Sequence, residues 1–393
     1  MAIDTLGANA LASNSVTTDK IVNDAVTGAK IPDDAVVAAD IADGSITTAK
    51  IAAGAVTQAK TAGVGGGGKN VIVNGEMMIA QRGTSFASVG NVYTLDRFQF
   101  YKQNSGAAFT ITQNSVTDLP GFSKSLKVDC TTADTSLAGN EQGYISHFLE
   151  GKECQRFAKG HGSDALPFTL SFYVKTNKTG LYTVTIFDRD NTRKVNGSYT
   201  VANANWNRYT ITFPADASGK IDNDVNSSLE FFFNLYAGTD TNTGTLSETW
   251  AASADAGSTT GQVNFADSTS NDWEITGIQL ETGSTASPYE HKLFNEELTR
   301  CKRYYLKSRS HDYVSGDSDR GGEVSFRGDK PGSSSMFQWY EFPVEMRTRP
   351  TITTESTAPD DLASTLIGTN GFRAGYSSDG GHYAFYYYAE AEL

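Results

Sequence analysis

The segments FTLSFYV (168–174) and YTVTIF (182–187) decide the fold of this 393-residue chain. In each segment large apolar residues take every second position, and threonine, serine or tyrosine lies between them. A β-strand places successive side chains on opposite faces, so a period of two is typical of strands with one face in a core. The turn-forming residues 176–180 separate the two segments, which predicts consecutive strands joined by a turn.

The same alternation continues from residue 69 to about residue 289. Further predicted strands lie at 71–73, 98–101, 109–112, 209–213, 229–233 and 273–280. With 21 Phe, 18 Tyr and 4 Trp, the chain has ample material for β-sheet cores. Many short strands without helical periods between them predict a mostly β protein, built as an antiparallel β-sandwich or jelly roll.

A helical stripe follows the predicted sandwich. Phe294, Leu298, Cys301 and Tyr305 recur at the spacing of one helix face, and Asn295 is the expected N-cap. The stripe predicts a short connecting helix that packs against its neighbours. The remaining 86 residues become β-rich again, with strands expected near 335–342 and 383–388, and predict a small C-terminal domain.

A different pattern precedes the sandwich: five copies of a ten-residue repeat, beginning at Ser15. Its apolar positions are Val16, Ile21, Val26, Ile31, Val36, Ile41, Ile46, Ile51 and Val56. An interval of five fits neither helix nor strand, so we expect each copy to combine one Thr-capped helical turn with an extended piece. Each copy has two sizeable apolar side chains, which cannot offset an entropy cost of roughly 1–2 kcal/mol for each residue that is ordered. We therefore expect the apolar side chains of the repeat to be buried against other chains or a partner surface. The alternative is a disordered linker.

These patterns divide the chain into five parts. They are a repeat shaft at 1–62, a glycine hinge at 63–68, a β-sandwich at 69–290, a connector helix at 291–307 and a C-terminal domain at 308–393.

The composition of the chain limits the classes of partner that it can be expected to bind. The chain has 32 basic and 45 acidic residues, a net charge of −13, which disfavours nucleic acid as a ligand. The sequence contains no stretch of about 18 apolar residues, so we expect no transmembrane helix. The first residues lack the features of a secretory signal. Cys130, Cys154 and Cys301 are odd in number and far apart, which favours a chain made in a reducing cytoplasm.

Several motifs, taken in order, resemble those of bacteriophage tail fibres. They are the decad AxTxAKIxDG, NVIVNGEMMIAQRG (70–83), YTLDRF (93–98), ITGIQLETG (275–283) and FPVEMRTRPTIT (342–353). The resemblance implies a homotrimer in the virion tail, assembled in the host cytoplasm. It also implies an N terminus that attaches to a tail or baseplate protein, a carbohydrate-binding-module-like sandwich, and a fibre tip. The expected partner is host surface polysaccharide.

Aromatic rings that could cover the apolar face of a sugar are the candidate glycan contacts. They are Trp206, Trp250, Trp339, Tyr386, Tyr387 and Tyr388. Core packing is the alternative for the tryptophans, and a trimer seam is the alternative for the tyrosines. The resemblance further implies a structural calcium ion near the first and last strands, where Glu76 and Glu281 are the carboxylates, although both also fit a surface role. We expect no other cofactor.

We expect no enzymatic activity. No GxSxG, P-loop or HExxH motif occurs, and the acidic pair in Asp188-Arg189-Asp190 is interpreted as a turn. Two other functions remain open at this point: a structural connector or decoration fibre of the virion, and a tailspike that degrades glycan.

The repeat generates a test. Changing Ile31 and Ile41 to Asp should leave the distal domains folded but prevent incorporation into particles, because the shaft could no longer bury its apolar positions. Incorporation is measured in purified virions, and light scattering of the unaltered protein should give three times the single-chain mass of 42.2 kDa. Normal incorporation of the variant would contradict the burial of the repeat.

Overall fold

The computed structural model of the protein describes residues 68–87, 90–252, 257–313, 321–328, 336–356, 363–376 and 381–393, together with individual residues between 17 and 47. The chain forms two compact units, Met1–Lys60 and Thr61–Leu393.

In the first unit a tight turn recurs at one position of the decad. The carbonyl of Thr27 accepts a hydrogen bond from Lys30 N at 2.8 Å, and the carbonyl of Val37 accepts one from Asp40 N at 2.9 Å. The Asp40 carboxylate also accepts from Val37 N at 3.0 Å, which satisfies a donor at the start of the turn. The apolar positions Ile21, Ile31, Val36, Ile41 and Ile46 are 42–56% exposed. Val16, Val26, Ile51, Val56 and hinge residues 63–67 lie outside the described residues.

The second unit contains two large antiparallel sheets that form a β-sandwich. The first sheet consists of β1 (Ser85–Ala87), β4 (Ala108–Ser115), β5 (Lys124–Thr132), β7 (Phe168–Thr176), β10 (Asn207–Phe213) and β13 (Asp272–Thr282), in the order β1-β4-β5-β13-β7-β10. The second consists of β2 (Val92–Tyr93), β3 (Phe98–Gln103), β6 (Gln142–Glu150), β8 (Gly180–Asp188), β9 (Arg193–Val201), β11 (Ser227–Ala237) and β12 (Ala251–Ala252), in the order β12-β9-β8-β11-β6-β3-β2. The mostly β, sandwich fold predicted from the sequence is thus confirmed.

The inward faces of the two sheets make one aromatic core. Phe109 stacks on Tyr236 at 5.5 Å between ring centres, and Phe172 meets Phe233 edge-on at 5.3 Å. Trp273 is fully buried. Aromatic pairs of this kind contribute about 0.5–1.5 kcal/mol beyond the area that they bury.

Three local predictions were wrong. Tyr305, predicted on the stripe of the connecting helix, is the first residue of a strand, Tyr305–Lys307. Residues 71–73 are buried but form no strand, because Val71 N donates to Leu280 O at 3.3 Å whereas Ile72 N and Val73 N donate to the side chains of Asn70 and His147. The connecting helix, α2 (Phe294–Lys302), has its N-cap at Leu293 rather than Asn295, since the Leu293 carbonyl accepts the first helical bond from Glu297 N. The short helix α1 (Gly151–Cys154) follows β6.

Helix α2 packs on the start of the sandwich and leads into the C-terminal domain. Leu298 and Cys301 are buried against Val73 and Ile79. In the C-terminal domain β20 (Gly381–Glu390) pairs with β14 (Tyr305–Lys307), β15 (Val324–Gly328) and β17 (Thr351–Ser356), and a separate sheet has the order β16 (Met336–Glu341), β19 (Gly371–Tyr376), β18 (Ala363–Thr365). Its small core centres on Phe372, Phe385 and Tyr387.

A buried ionic junction joins the C-terminal domain to the sandwich. The Arg97 side chain is 1% exposed and its guanidinium pairs with the Glu392 carboxylate. The same guanidinium donates to the Phe148 carbonyl at 2.6 Å and lies 3.6 Å from the centre of the Tyr304 ring. Arg82 adds a second contact to Glu392, at 3.3 Å.

The junction predicts a large effect for one substitution. Arg97→Met should lower the free energy of unfolding by about 3–5 kcal/mol, because it removes the fully buried partner of the Glu392 carboxylate and leaves Arg82 as its remaining cationic contact. Urea unfolding followed by fluorescence measures the change. The double variant Arg97→Met, Glu392→Gln should recover part of the loss, and a single variant within about 1 kcal/mol of the unaltered protein would contradict a dominant role for this pair.

Candidate functional site

The outward face of the seven-stranded sheet carries large side chains that the core does not use. In β11, Phe231 and Phe233 point into the core and are at most 1% exposed, whereas Phe232 between them points to the other face. Glu230 and Asn234 share the face of Phe232 because they lie two residues away on either side.

Three aromatic rings on adjacent strands stack in a row on this face. Tyr101 lies opposite Tyr144 in the ladder, with ring centres 4.7 Å apart and planes 15° apart. Tyr144 stacks in turn on Phe232 at 4.5 Å and 24°. Cross-strand pairs of this type stabilise the sheet, and the row ends in the partly exposed ring of Phe232.

A groove of about 290 Å³ runs beside this aromatic row. Its lining consists of Gln142, Tyr144, Thr185, Phe187, Arg189, Lys194, Glu230, Phe232 and Asn234 from the sheet, with Thr241, Ser258 and Thr259 from the following loop. The loop side is fixed by a bond from Thr259 N to the Thr241 carbonyl at 3.0 Å. The volume is at the low end of the range for small-molecule sites, about 300–1,000 Å³.

An ion pair lies at one end of the groove. Arg189 Nε donates to Glu230 Oε2 at 2.9 Å, and the guanidinium lies 5.7 Å from the centre of the Phe187 ring. Burial raises the pKa of Glu230 to about 7, because desolvation of the carboxylate outweighs the attraction of Arg189. A carboxyl group with this pKa can both accept and donate hydrogen bonds near neutral pH.

The hairpin that presents Arg189 is held by a buried cation. Lys159 Nζ pairs with Asp188 and, at 2.9 Å, with Asp216, and it lies 4.5 Å from the centre of the Trp250 ring. Asp188 Oδ1 also accepts from Asn191 N at 3.0 Å, which closes the turn after β8. Residues 188–190 therefore form a strand end and a turn, as the sequence indicated.

This set of side chains suits a polyhydroxylated ring. The face of Phe232 that does not stack on Tyr144, together with the Phe187 ring, can cover apolar C–H surface, while amides and the Arg189–Glu230 pair can exchange hydrogen bonds with hydroxyl groups. Charged partners make the stronger of these hydrogen bonds.

The six aromatic residues predicted from the sequence lie elsewhere. Trp206 donates from Nε1 to Asp118 at 2.9 Å, and Trp250 packs against the sandwich core and donates to the Pro214 carbonyl at 2.8 Å. Trp339, in β16, is 40% exposed. None of the three lines the groove, and their contact with glycan stays a prediction.

The three consecutive tyrosines of β20 differ in exposure. Tyr386 is 6% exposed and lies 3.5 Å from the Arg309 guanidinium, and Tyr387 is 5% exposed in the core of the C-terminal domain. Tyr388 is partly exposed and stacks on Tyr305 at 6.4 Å. Tyr386 and Tyr387 therefore serve packing within the chain, which leaves Tyr388 as the more accessible ring of the three.

The two predicted calcium ligands are engaged by protein groups. Glu281 is 2% exposed and its carboxylate accepts from Ser287 N at 2.8 Å, Ser287 Oγ at 2.7 Å and Gln279 Nε2 at 2.9 Å. Glu76 Oε1 lies 3.0 Å from His291 Nδ1. Among the described residues no group of three or more His, Cys, Asp or Glu side chains could hold a metal ion. In this geometry Glu281 offers no open ligand set, and calcium binding remains a prediction.

One sequence signal could have located the groove. Three consecutive phenylalanines in a strand, 231–233, require one ring to face away from the core. The outward position of Tyr144 depends on the pairing of β3, β6 and β11, which strand alternation alone does not specify.

No protein-family model and no curated protein matches the chain. Among solved structures the chain is similar to the enzymatically active domain of bacteriophage CBA120 tailspike protein 4, at 12% identity and a TM-score of 0.29, over 55% of this chain and 21% of that one. It is also similar to a family 4 carbohydrate-binding module, at 13% identity and a TM-score of 0.27, over 53% of this chain and 97% of that one. A third similar structure is discoidin II of Dictyostelium discoideum, at 13% identity and a TM-score of 0.16, over 70% of this chain and 85% of that one. At these values the likeness is one of strand arrangement alone.

In the described part of the chain no helix has the length and apolar character that a membrane span requires.

The raised pKa of Glu230 predicts a pH dependence of stability. The folded state keeps the Glu230 proton up to about pH 7, whereas the unfolded chain loses it near 4.5. The contribution of Glu230 to the free energy of unfolding is therefore fully present below pH 4.5. It is lost as the pH rises through 7, and the loss is at most about 3 kcal/mol. Urea unfolding across this range should show the decline in the unaltered protein and a smaller decline in Glu230→Gln; identical pH profiles would contradict the assignment.

Proposed function

We propose that this chain is a phage tail fibre protein that attaches the virion to host surface polysaccharide, and that the groove beside Tyr144 and Phe232 holds the sugar. One observation carries the proposal: a row of stacked rings on an outward sheet face, bordered by amides and by the Arg189–Glu230 pair. An aromatic surface next to a few polar groups is the usual composition of small-molecule sites.

The exposed apolar positions of the decad support a trimeric fibre. Leaving Ile31 and Ile41 in water at 43% and 42% exposure in a single chain is unfavourable, since burying such a side chain contributes about 1.5–3 kcal/mol. Two further copies of the same repeat would supply matching apolar positions at every fifth residue. The N terminus would then attach the trimer to a tail or baseplate protein.

A trimer converts weak sites into firm attachment. One shallow groove of this size is suited to a weak contact with a sugar unit. Three grooves on a trimer, and several trimers on a particle, make the later contacts intramolecular, and overall avidity can exceed a single affinity by about 10²–10⁴.

Binding rather than cleavage fits the groove. Glycoside hydrolysis normally needs two carboxyl groups about 5–10 Å apart. Glu230 is the carboxylate among the described lining residues of the groove, and Arg189 neutralises it in part.

The groove assignment is tested with matched aromatic variants. Phe232→Ala and Phe187→Ala should each weaken binding to purified host polysaccharide at least tenfold, because each removes apolar surface from the groove. Phe294→Ala, which removes a 37% exposed aromatic ring outside the groove that is not a candidate glycan contact, is the control and should bind normally. Binding is measured by glycan array and by competition with phage adsorption.

Three results would overturn parts of this proposal. Loss of binding in Trp206→Ala but not in the groove variants would move the site. A protein that binds no glycan or cell but captures another virion protein would favour a connector fibre, and release of reducing ends from the polysaccharide would favour a depolymerase.

A further inference from the structure

A second cavity lies where the connector helix meets the C-terminal domain. It is an open pocket of about 530 Å³. The end of α2 and the segment after β14 form one side, and residues near β15 form the other. Its ionisable lining residues are Lys302, Lys307, Arg309, His311 and Glu323. With two lysines and one arginine against one carboxylate in its lining, this pocket is basic in a chain whose net charge is −13.

The Arg309 guanidinium is fixed in orientation. It lies 3.5 Å from the centre of the Tyr386 ring and 4.0 Å from that of Tyr313, so two aromatic faces hold its plane. Arg309 also pairs with Glu355 at 3.3 Å; the Arg309 side chain is 12% exposed and the Glu355 carboxylate is 53% exposed, so solvent screens this pair in part. A planar guanidinium held in this way is suited to bidentate contact with a carboxylate or phosphate.

Lys307 places a second cation beside Arg309. It is 7% exposed, and its Nζ donates to the Tyr313 carbonyl at 2.9 Å. Burial and the nearby Arg309 lower the pKa of Lys307, despite opposing attraction from Asp96 and Asp312. Two neighbouring cations that are both partly withdrawn from water would be stabilised by an anion between them.

Lys302 and His311 extend the basic surface to the rim. Lys302 ends α2, where the helix dipole alone would favour a cation. That structural role explains Lys302 but does not explain the convergence of Lys307 and Arg309 on the same cavity.

We propose that this pocket is a second saccharide site, one that binds an anionic sugar unit through its carboxylate or phosphate. The saccharide part of this inference rests on the proposed function, and the oxyanion part rests on the lysine and arginine side chains alone. The groove would bind a sugar through its ring face, and the pocket would select polysaccharides that carry negative charge.

The test uses the full-length protein and four probes: glucuronate, glucose 6-phosphate, glucose and inorganic phosphate, each titrated by NMR or calorimetry. Glucuronate and glucose 6-phosphate should bind, glucose should not bind at this pocket, and affinity should fall with added salt because the contact is ionic. Lys302→Glu and Arg309→Gln should each weaken binding at least tenfold. Lys152→Glu, which changes an exposed helical lysine outside the pocket, should have no effect.

Thermal unfolding separates loss of the site from loss of the fold, and Lys302→Glu alters a side chain that is already partly exposed. Absence of binding by both acidic sugars, or binding that Lys302→Glu and Arg309→Gln leave unchanged, would overturn the proposal. Inorganic phosphate binding as tightly as glucose 6-phosphate would overturn the assignment to a saccharide.

The groove is tested independently. Phe232→Ala should leave binding of glucuronate at the pocket unchanged. If acidic sugars bind in a Lys302-dependent manner while the groove variants have no effect on polysaccharide, the proposed groove fails and the pocket stands.

Discussion

The alternation of side chains across the seven-stranded sheet is the constraint on which the rest of the structure depends. Each strand must supply one residue to the aromatic core for every residue that it turns outward. Phe231 and Phe233 meet the first requirement, and Phe232 between them is forced onto the opposite face. The groove is thus formed by the outward-facing side chains of the same strands that build the core, and the sandwich fixes its position. The segments outside the sheet that carry Thr241, Thr259 and Arg189 can alter the groove without repacking the core.

Charge serves two different roles in this unit. At the junction, Arg97 and Glu392 are both buried and pair with each other, so their contact helps to specify how the C-terminal domain packs on the sandwich. In the groove, Arg189 is 44% exposed and Glu230 is buried, which leaves a pair with one accessible partner. The fully buried Arg97–Glu392 pair contributes to structure, whereas the partly exposed Arg189–Glu230 pair can exchange hydrogen bonds with a ligand.

Sequence alone predicts the sandwich because strand alternation is a local property. Segments such as 168–174 carry their own period, and the structure confirms them as strands. The groove is not local: Tyr101, Tyr144 and Phe232 come from three strands that are distant in sequence and become neighbours only through pairing. The tryptophans were attractive candidates because they are rare and large. Hydrogen bonds and packing to remote residues, such as Trp250 to Pro214, could not be inferred from their polar sequence surroundings.

The ionic junction also constrains the order in which the protein can be completed. Arg97 and Glu392 are 295 residues apart in the chain, so a nascent sandwich on the ribosome carries an arginine whose counter-ion has not yet been synthesised. The contacts that Arg97 makes with Tyr304 and Glu392 cannot all form until the C-terminal domain has emerged from the ribosome. Contacts of such long sequence separation slow folding. The unit Thr61–Leu393 should therefore reach its final form only after translation has passed Glu392, and premature termination would expose the surface of the sandwich around Arg97 as well as remove the C-terminal domain.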